Sequence, residues 1–193
     1  NKDFISIIEN QKCNALIYGC GIDNIPVNKE ILTFLLSKPI DLVLDATTFS
    51  LFQKNKNEFL NLLNQRKADT IMTPHAGEFK RIFNTTNNKT RDCLEAAKES
   101  NLIIVYKGND TLIGSPNGKG YINMNSSPFL ATAGSGDVLA GIIGGLLSQG
   151  IDALSSARLG CNIHSQCAIN LGPGLIASDL IKEISQVMKN IIN

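Results

Sequence analysis

Residues 125–147 read NSSPFLATAGSGDVLAGIIGGLL, a Ser- and Gly-rich turn running straight into a long apolar stretch. Gly134 and Gly136 permit a tight bend, and the first-turn amides of the following helix have no intrahelical acceptors, so the turn can coordinate an anion. Asp137 lies inside that first turn, where a carboxylate interacts favourably with the helix N-terminus. The same residues would equally make a capped helix, and on this stretch alone both readings stand. Gly141, Gly144 and Gly145 each cost ~1 kcal/mol relative to alanine inside a helix. Their recurrence predicts close approach by another backbone or by a ligand.

Working outward, this helix (136–149) is the first of three helical stretches without strands between them, the others being 151–170 and 175–192, with breaks at Gly150 and LGPG (171–174). Upstream, TLIGS (111–115) and GYINMN (120–125) flank the turn-rich PNGK (116–119), which predicts a β-hairpin. Further upstream, the runs ALIYG (15–19), LVLDA (42–46), TIM (70–72) and LIIVYKG (102–108) alternate with helix-compatible stretches at 27–37, 55–66, 77–83 and 90–100. That rhythm predicts parallel βαβ units. The strands are almost uninterrupted apolar runs, as expected of a sheet covered on both faces. The fold class is therefore α/β, a mostly parallel sheet with an antiparallel hairpin, read as a single domain over residues 1–193.

Composition agrees and excludes several functions. The 193 residues carry 18 Lys and Arg against 17 Asp and Glu, a formal charge of +1, which offers no electrostatic attraction to nucleic acid or an anionic membrane. At 43% apolar and 18% charged, the chain falls among ordinary globular proteins. Cysteines at 13, 20, 93, 161 and 167 are odd in number and lack metal-knuckle spacing, so packed, reduced thiols in a cytoplasmic protein are expected. No apolar run reaches the ~20 residues a membrane span needs, and the N-terminus, which opens at Asn1, does not read as a secretory signal.

Ligands in open α/β sheets bind beyond the carboxyl ends of the strands. Four polar or glycine-bearing sites fall there: GCGID (19–23), DATTF (45–49), TPHAGEF (73–79) and KGNDT (107–111). KGNDT ends a buried strand with a cation, a glycine and a hydroxyl, suited to phosphate or ribose oxygens, or simply to a turn. His75 and Glu78, three residues apart at a strand-to-helix junction, can face one crevice and meet substrate or a hydrated metal, or only start a helix. Asp45 ends an otherwise apolar strand, so a ligand, a metal or a capping amide is expected beside it. No P-loop is present, and GCGIDN (19–24) has Asn24 where a dinucleotide fingerprint has its third glycine. His164 with Cys161 or Cys167 is read as helix packing rather than as a nucleophile pair.

In their order, LDATTF (44–49), TPHAGEF (73–79), VYKGNDT (105–111) and LATAGSGDVLAGIIGGLLSQG (130–150) resemble the ADP- or ATP-dependent NAD(P)H-hydrate dehydratases of the ribokinase-like superfamily. The resemblance implies a three-layer α/β/α fold and repair of hydrated NADH or NADPH: phosphorylation of the ring hydroxyl by ADP or ATP with Mg²⁺, then elimination of phosphate. It implies that Asp137 is the catalytic base and that Lys107, Gly108, Asn109, Asp110, Thr111, Ala133, Gly134, Ser135 and Gly136 bind the nucleotide. Gly21, His75 and Asp137 would contact the hydrated dinucleotide, and Glu78 and Asp45 would organise Mg²⁺ through water.

Two departures from the family pattern stand out. Gly19-Cys20-Gly21 replaces the usual Gly-Pro-Gly. Family domains also carry further strands before the point matching Asn1, so an open sheet edge is expected unless another segment or chain covers it, and association with such a chain or with a second copy follows as an expectation. The competing readings are a ribokinase-like kinase acting on a small alcohol and a non-catalytic nucleotide-binding remnant or subunit.

Overall fold

The computed structural model describes Ile8 and residues 13–192. The elements run β1 (Ala15–Tyr18), α1 (Pro26–Leu36), β2 (Asp41–Leu44), α2 (Thr48–Leu51), α3 (Lys56–Asn64), β3 (Thr70–Met72), α4 (Ala76–Ile82), α5 (Lys89–Ser100) and β4 (Ile103–Tyr106). There follow the hairpin β5 (Thr111–Gly114) and β6 (Gly120–Asn123), a 3₁₀ turn (Pro128–Leu130), then α6 (Ser135–Leu147), α7 (Ala153–Leu171) and α8 (Ala177–Ile192).

The sheet follows chain order, β1-β2-β3-β4-β5-β6, with the first four strands parallel and the last two joined antiparallel. Because every parallel crossover steps the same way along the sheet, right-handedness puts their helices on one face. The hairpin then releases the chain to the opposite face. Strand alternation follows this division. Leu42, Leu44, Met72, Ile104, Tyr106 and Leu112 enter the core with Leu32, Phe59 and Phe79 of the crossover helices. Val43, Ile71, Ile103, Val105 and Ile113 meet Leu139, Ile143 and Ala157 of α6 and α7. A third cluster, including Ile142, Ile163, Leu180 and Val187, joins α6, α7 and α8. Three layers result, α/β/α. Within the described residues β1 pairs with β2 alone, and no helix there is long and apolar enough to cross a membrane.

Two details differ from the sequence reading. The segment after β2 closes into the short helix α2, because Thr48 donates its hydroxyl to the Tyr18 carbonyl at 3.0 Å and Phe49 is fully buried. Of the three glycines read as close approaches within α6, only Gly144 is one. A Cβ there would lie 2.7 Å from Ile17 Cγ1, so the neighbour is a β1 side chain rather than a backbone or a ligand. Gly141 and Gly145 are exposed with nothing within 4 Å. Gly141→Ala and Gly145→Ala should therefore each raise stability by up to ~1 kcal/mol in urea unfolding through helix propensity. Gly144→Ala should lower it; equal behaviour of the three variants would contradict this packing.

Candidate functional site

The carboxyl ends of β1 to β4 meet the N-terminus of α6 at one edge of the sheet, and the chain segments there are tied to one another. Lys107, just past β4, donates its backbone amide to the Pro74 carbonyl at 2.8 Å, while the Asp45 and Thr73 amides reach Tyr18 and Leu44, each at 3.0 Å. Gly19 (φ +119) is indispensable here, since a Cβ would fall 1.8 Å from the Asp45 carbonyl oxygen. The next residue, Ala46, holds a left-handed φ of 49°, local strain of the kind that surrounding contacts must over-determine.

An ion pair occupies the centre. Lys107 Nζ lies 2.7 Å from Asp45 Oδ1 and 3.9 Å from Glu78 Oε2. Asp45 is 2% exposed, and its buried charge is met by this lysine, supplied by a strand end 62 residues away. The α6 N-terminus lies directly over the pair: a Cβ on Gly136 would come 3.1 Å from Lys107 Nζ and 3.7 Å from Asp45 Oδ2.

The helix begins at Gly134 (φ 81°) with no side-chain cap; the Ser135 amide donates to the Thr132 carbonyl at 3.3 Å, so the capacity for an anion rests on the next amides of the first turn. The carboxylate of Asp137 is not turned inward; the residue is exposed. Its oxygen, Asp45's and Cys20 Sγ all lie within 4.8 Å of one another. Burial first, then the neighbouring Asp137 and Asp45, pushes the Cys20 thiol up to about 12.

On the adjacent wall, His75 caps α4. Its Nδ1 accepts from the Gly77 amide at 3.0 Å, and Glu78 Oε2 accepts from the His75 amide at 2.9 Å. His75 Nε2 approaches Glu78 Oε1 at 3.3 Å. This reciprocal cap explains the three-residue spacing. Burial raises the proton affinity of Glu78.

Beside the ion pair opens a cavity of ≈ 630 Å³. Of the residues read from sequence, His75, Lys107, Gly108, Asn109, Thr111, Ser135 and Gly136 line it. Asp110 does not; its carboxylate is taken by Lys89 at 2.8 Å, which lowers its proton affinity. Ala133 and Gly134 are exposed in the approach to α6, and exposed Gly21 (φ +66) belongs to the loop after β1.

The sequence reading missed the far wall: Asn123 from β6, Ser127 and Leu130 around the 3₁₀ turn, and Cys161, His164 and Ser165 from α7. The only signal was polar residues on an apolar helix at 164 and 165. His164 is held neutral by burial, its pKa lowered to about 4, and burial lifts the Cys161 and Cys167 thiols to about 12 and about 11. Neither cysteine is a thiolate nucleophile at neutral pH, in keeping with the packing role read from sequence. All five cysteines are free.

Fold and site together define a ribokinase-like domain with a phosphate-suited helix mouth, an ion pair beneath it and a cavity alongside. The family model described as NAD(P)H-hydrate dehydratase matches residues 2–190, and the chain belongs to that family. It is 36% identical over 191 residues to the ADP-dependent (S)-NAD(P)H-hydrate dehydratase of Neisseria meningitidis, covering 93% of this chain and 63% of that protein. The solved Bacillus subtilis ADP/ATP-dependent NAD(P)H-hydrate dehydratase, co-crystallized with ATP/Mg²⁺ and soaked with CoA, superposes with a TM-score of 0.81 at 26% identity, covering 92% of this chain and 66% of that one. A ribokinase-like superfamily protein from Enterococcus faecalis shares the fold, with a TM-score of 0.80 at 22% identity and 97% and 67% coverage. The chain spans 35% to 63% of the length of the first three curated relatives it matches.

Two outcomes test this geometry. Lys107→Met should cost about 3 kcal/mol or more, because it strands a buried carboxylate; adding Asp45→Asn should recover part of that in urea titrations. His164 has a folded pKa of about 4 against 6.5 when unfolded. The unfolded chain therefore binds the extra proton first, and stability present above pH 6.5 is lost as pH falls towards about 4. At ~1.4 kcal/mol per pKa unit the loss is about 3 kcal/mol. Replacing His164 by Gln should remove that part of the acid sensitivity in melts between pH 7 and 4; an unchanged slope would contradict the burial.

Proposed function

We propose that the protein of which this chain is part dehydrates hydrated NADH and NADPH at the expense of ADP or ATP, in the cytoplasm. The observation that carries the reading is the seating of the uncapped α6 N-terminus on the Lys107–Asp45 pair, with the exposed Asp137 carboxylate in the same turn. Hydroxide is a poor leaving group and phosphate a good one, which gives the nucleotide its part in the reaction. The hydroxyl oxygen of the hydrated ring bonds to the terminal phosphorus, the bond from that phosphorus to its bridging oxygen breaks, and the hydroxyl proton passes to Asp137. Electrons from the ring nitrogen then expel phosphate, and loss of a proton from the neighbouring carbon restores the double bond.

Amides around Ala133 to Gly136 would hold the transferring group, where each well-placed donor contributes ~3 kcal/mol in comparable holes. Lys107 with the loop Gly108 to Thr111 would bind the nucleotide, and Gly21 and His75 the dinucleotide. Asp45 and Glu78 set two carboxylates against one ammonium, a donor set that suits a hard cation. They would hold Mg²⁺ through water, and the ion would neutralise charge on the nucleotide phosphates.

Incubation of the protein with hydrated NADH and ADP or ATP should regenerate the absorbance of NADH. Phosphorylated product without that recovery would favour the small-alcohol kinase, and nucleotide binding without turnover would favour the non-catalytic remnant. Asp137→Asn should lower turnover by about a hundredfold or more, the typical contribution of a positioned base, with melting unchanged.

A further inference from the structure

Helix α6 begins without a side-chain cap, yet its first residue is anchored from outside. Ser135 is 5% exposed, and its Oγ lies 3.3 Å from Nε2 of His164, itself 5% exposed in the middle of α7. The bond runs in either sense according to the tautomer. As the first helical residue, Ser135 cannot use its hydroxyl as the usual N-cap of this helix, a place taken by Gly134. Both partners line the same cavity as Lys107 and Gly136.

From this we infer that His164 is a positioning residue for the phosphoryl-binding turn: through Ser135 it fixes the α6 N-terminus over the Lys107–Asp45 pair. The inference rests on the proposed dehydration for its catalytic readout. Three features of the site support it. The glycines at 134 and 136 that open the turn to an anion also remove side chains that could hold it in place. The contact joins residues 29 positions apart on two different helices, so it orients α6 against α7 rather than stabilising a local turn. A neutral imidazole also supplies the bond without placing a fixed cation or anion beside the phosphates, and burial keeps this ring neutral. Asn123 extends the same polar wall, donating to Ser165 Oγ at 2.7 Å.

The test compares His164→Leu, which removes the bond; His164→Gln, whose terminal amide stands near the place of Nε2; Ser135→Ala; and the Ser135→Ala/His164→Leu double variant. His164→Leu should lower kcat on the order of tenfold or more, as expected when reacting groups are misplaced without leaving the site. The KM for ADP should move by less than about threefold, since a ground-state contact is not what is lost. His164→Gln should restore most of kcat, and the double variant should be no slower than the slower single variant. Multiplying effects, or a loss falling on KM, would mean that His164 touches the nucleotide itself and would overturn the inference.

A second readout needs no turnover. Amide exchange at Val138, which donates to the Gly134 carbonyl at 3.1 Å, should quicken in His164→Leu and not in His164→Gln at equal global stability. If the wild-type protein shows no dehydration, the functional reading fails while exchange still decides the anchor. Unchanged exchange in His164→Leu would sink it. Should His164→Leu fail to fold, Ser135→Ala against wild type gives the same comparison from the other partner.

Discussion

The site is organised by one ion pair. Asp45 ends a buried strand and would be a stranded charge without Lys107; the lysine reaches it across the sheet from β4 at 2.7 Å. The pair joins two strand ends and forms the floor on which the α6 N-terminus stands, close enough that position 136 has little room for a side chain. Glu78 sits at the edge of the same ammonium while its carboxylate completes the α4 cap. Charge at the base of the site is thus set by backbone geometry at four strand ends and tied to the helix starts around it.

The position of the cavity follows from topology. Sequential parallel crossovers use one face of the sheet for α1 to α5, and the hairpin carries the chain to the other face for α6 to α8. Where the hairpin leaves β4, the loop from Lys107 to Thr111, the 3₁₀ turn and α7 do not close against one another, and a space of ≈ 630 Å³ remains. Polar side chains in the middle of α7 are tolerated because they face that space and its hydrogen-bonding partners. The buried thiols near them are held protonated by their surroundings, so Cys161 serves as a small apolar wall.

The strand ends that bear the site could be located from the sequence because each ends an apolar run with a polar residue or a glycine, as at Lys107 and Asp45. His75 and Glu78 stood out by their three-residue spacing at a strand-to-helix junction, while their reciprocal cap of α4 emerges from the structure. Helix α2 was not, since its formation depends on a hydroxyl bond to β1 and on the burial of Phe49. The three glycines of α6 show the same limit: their cost is local, but only contact with Ile17 distinguishes Gly144 from its neighbours.

By itself the sequence determined the alternation of strands and helices, the hairpin, the glycine-bent mouth of α6 and the residues gathered at the strand ends. These depend on periodicity and backbone preference, which act over a few residues. Only the tertiary structure decided that Asp45 pairs with Lys107, that Cys20 lies beside Asp137, and that His164 reaches Ser135. Each of those contacts joins residues at least 29 positions apart, and long-range proximity depends on how whole layers pack.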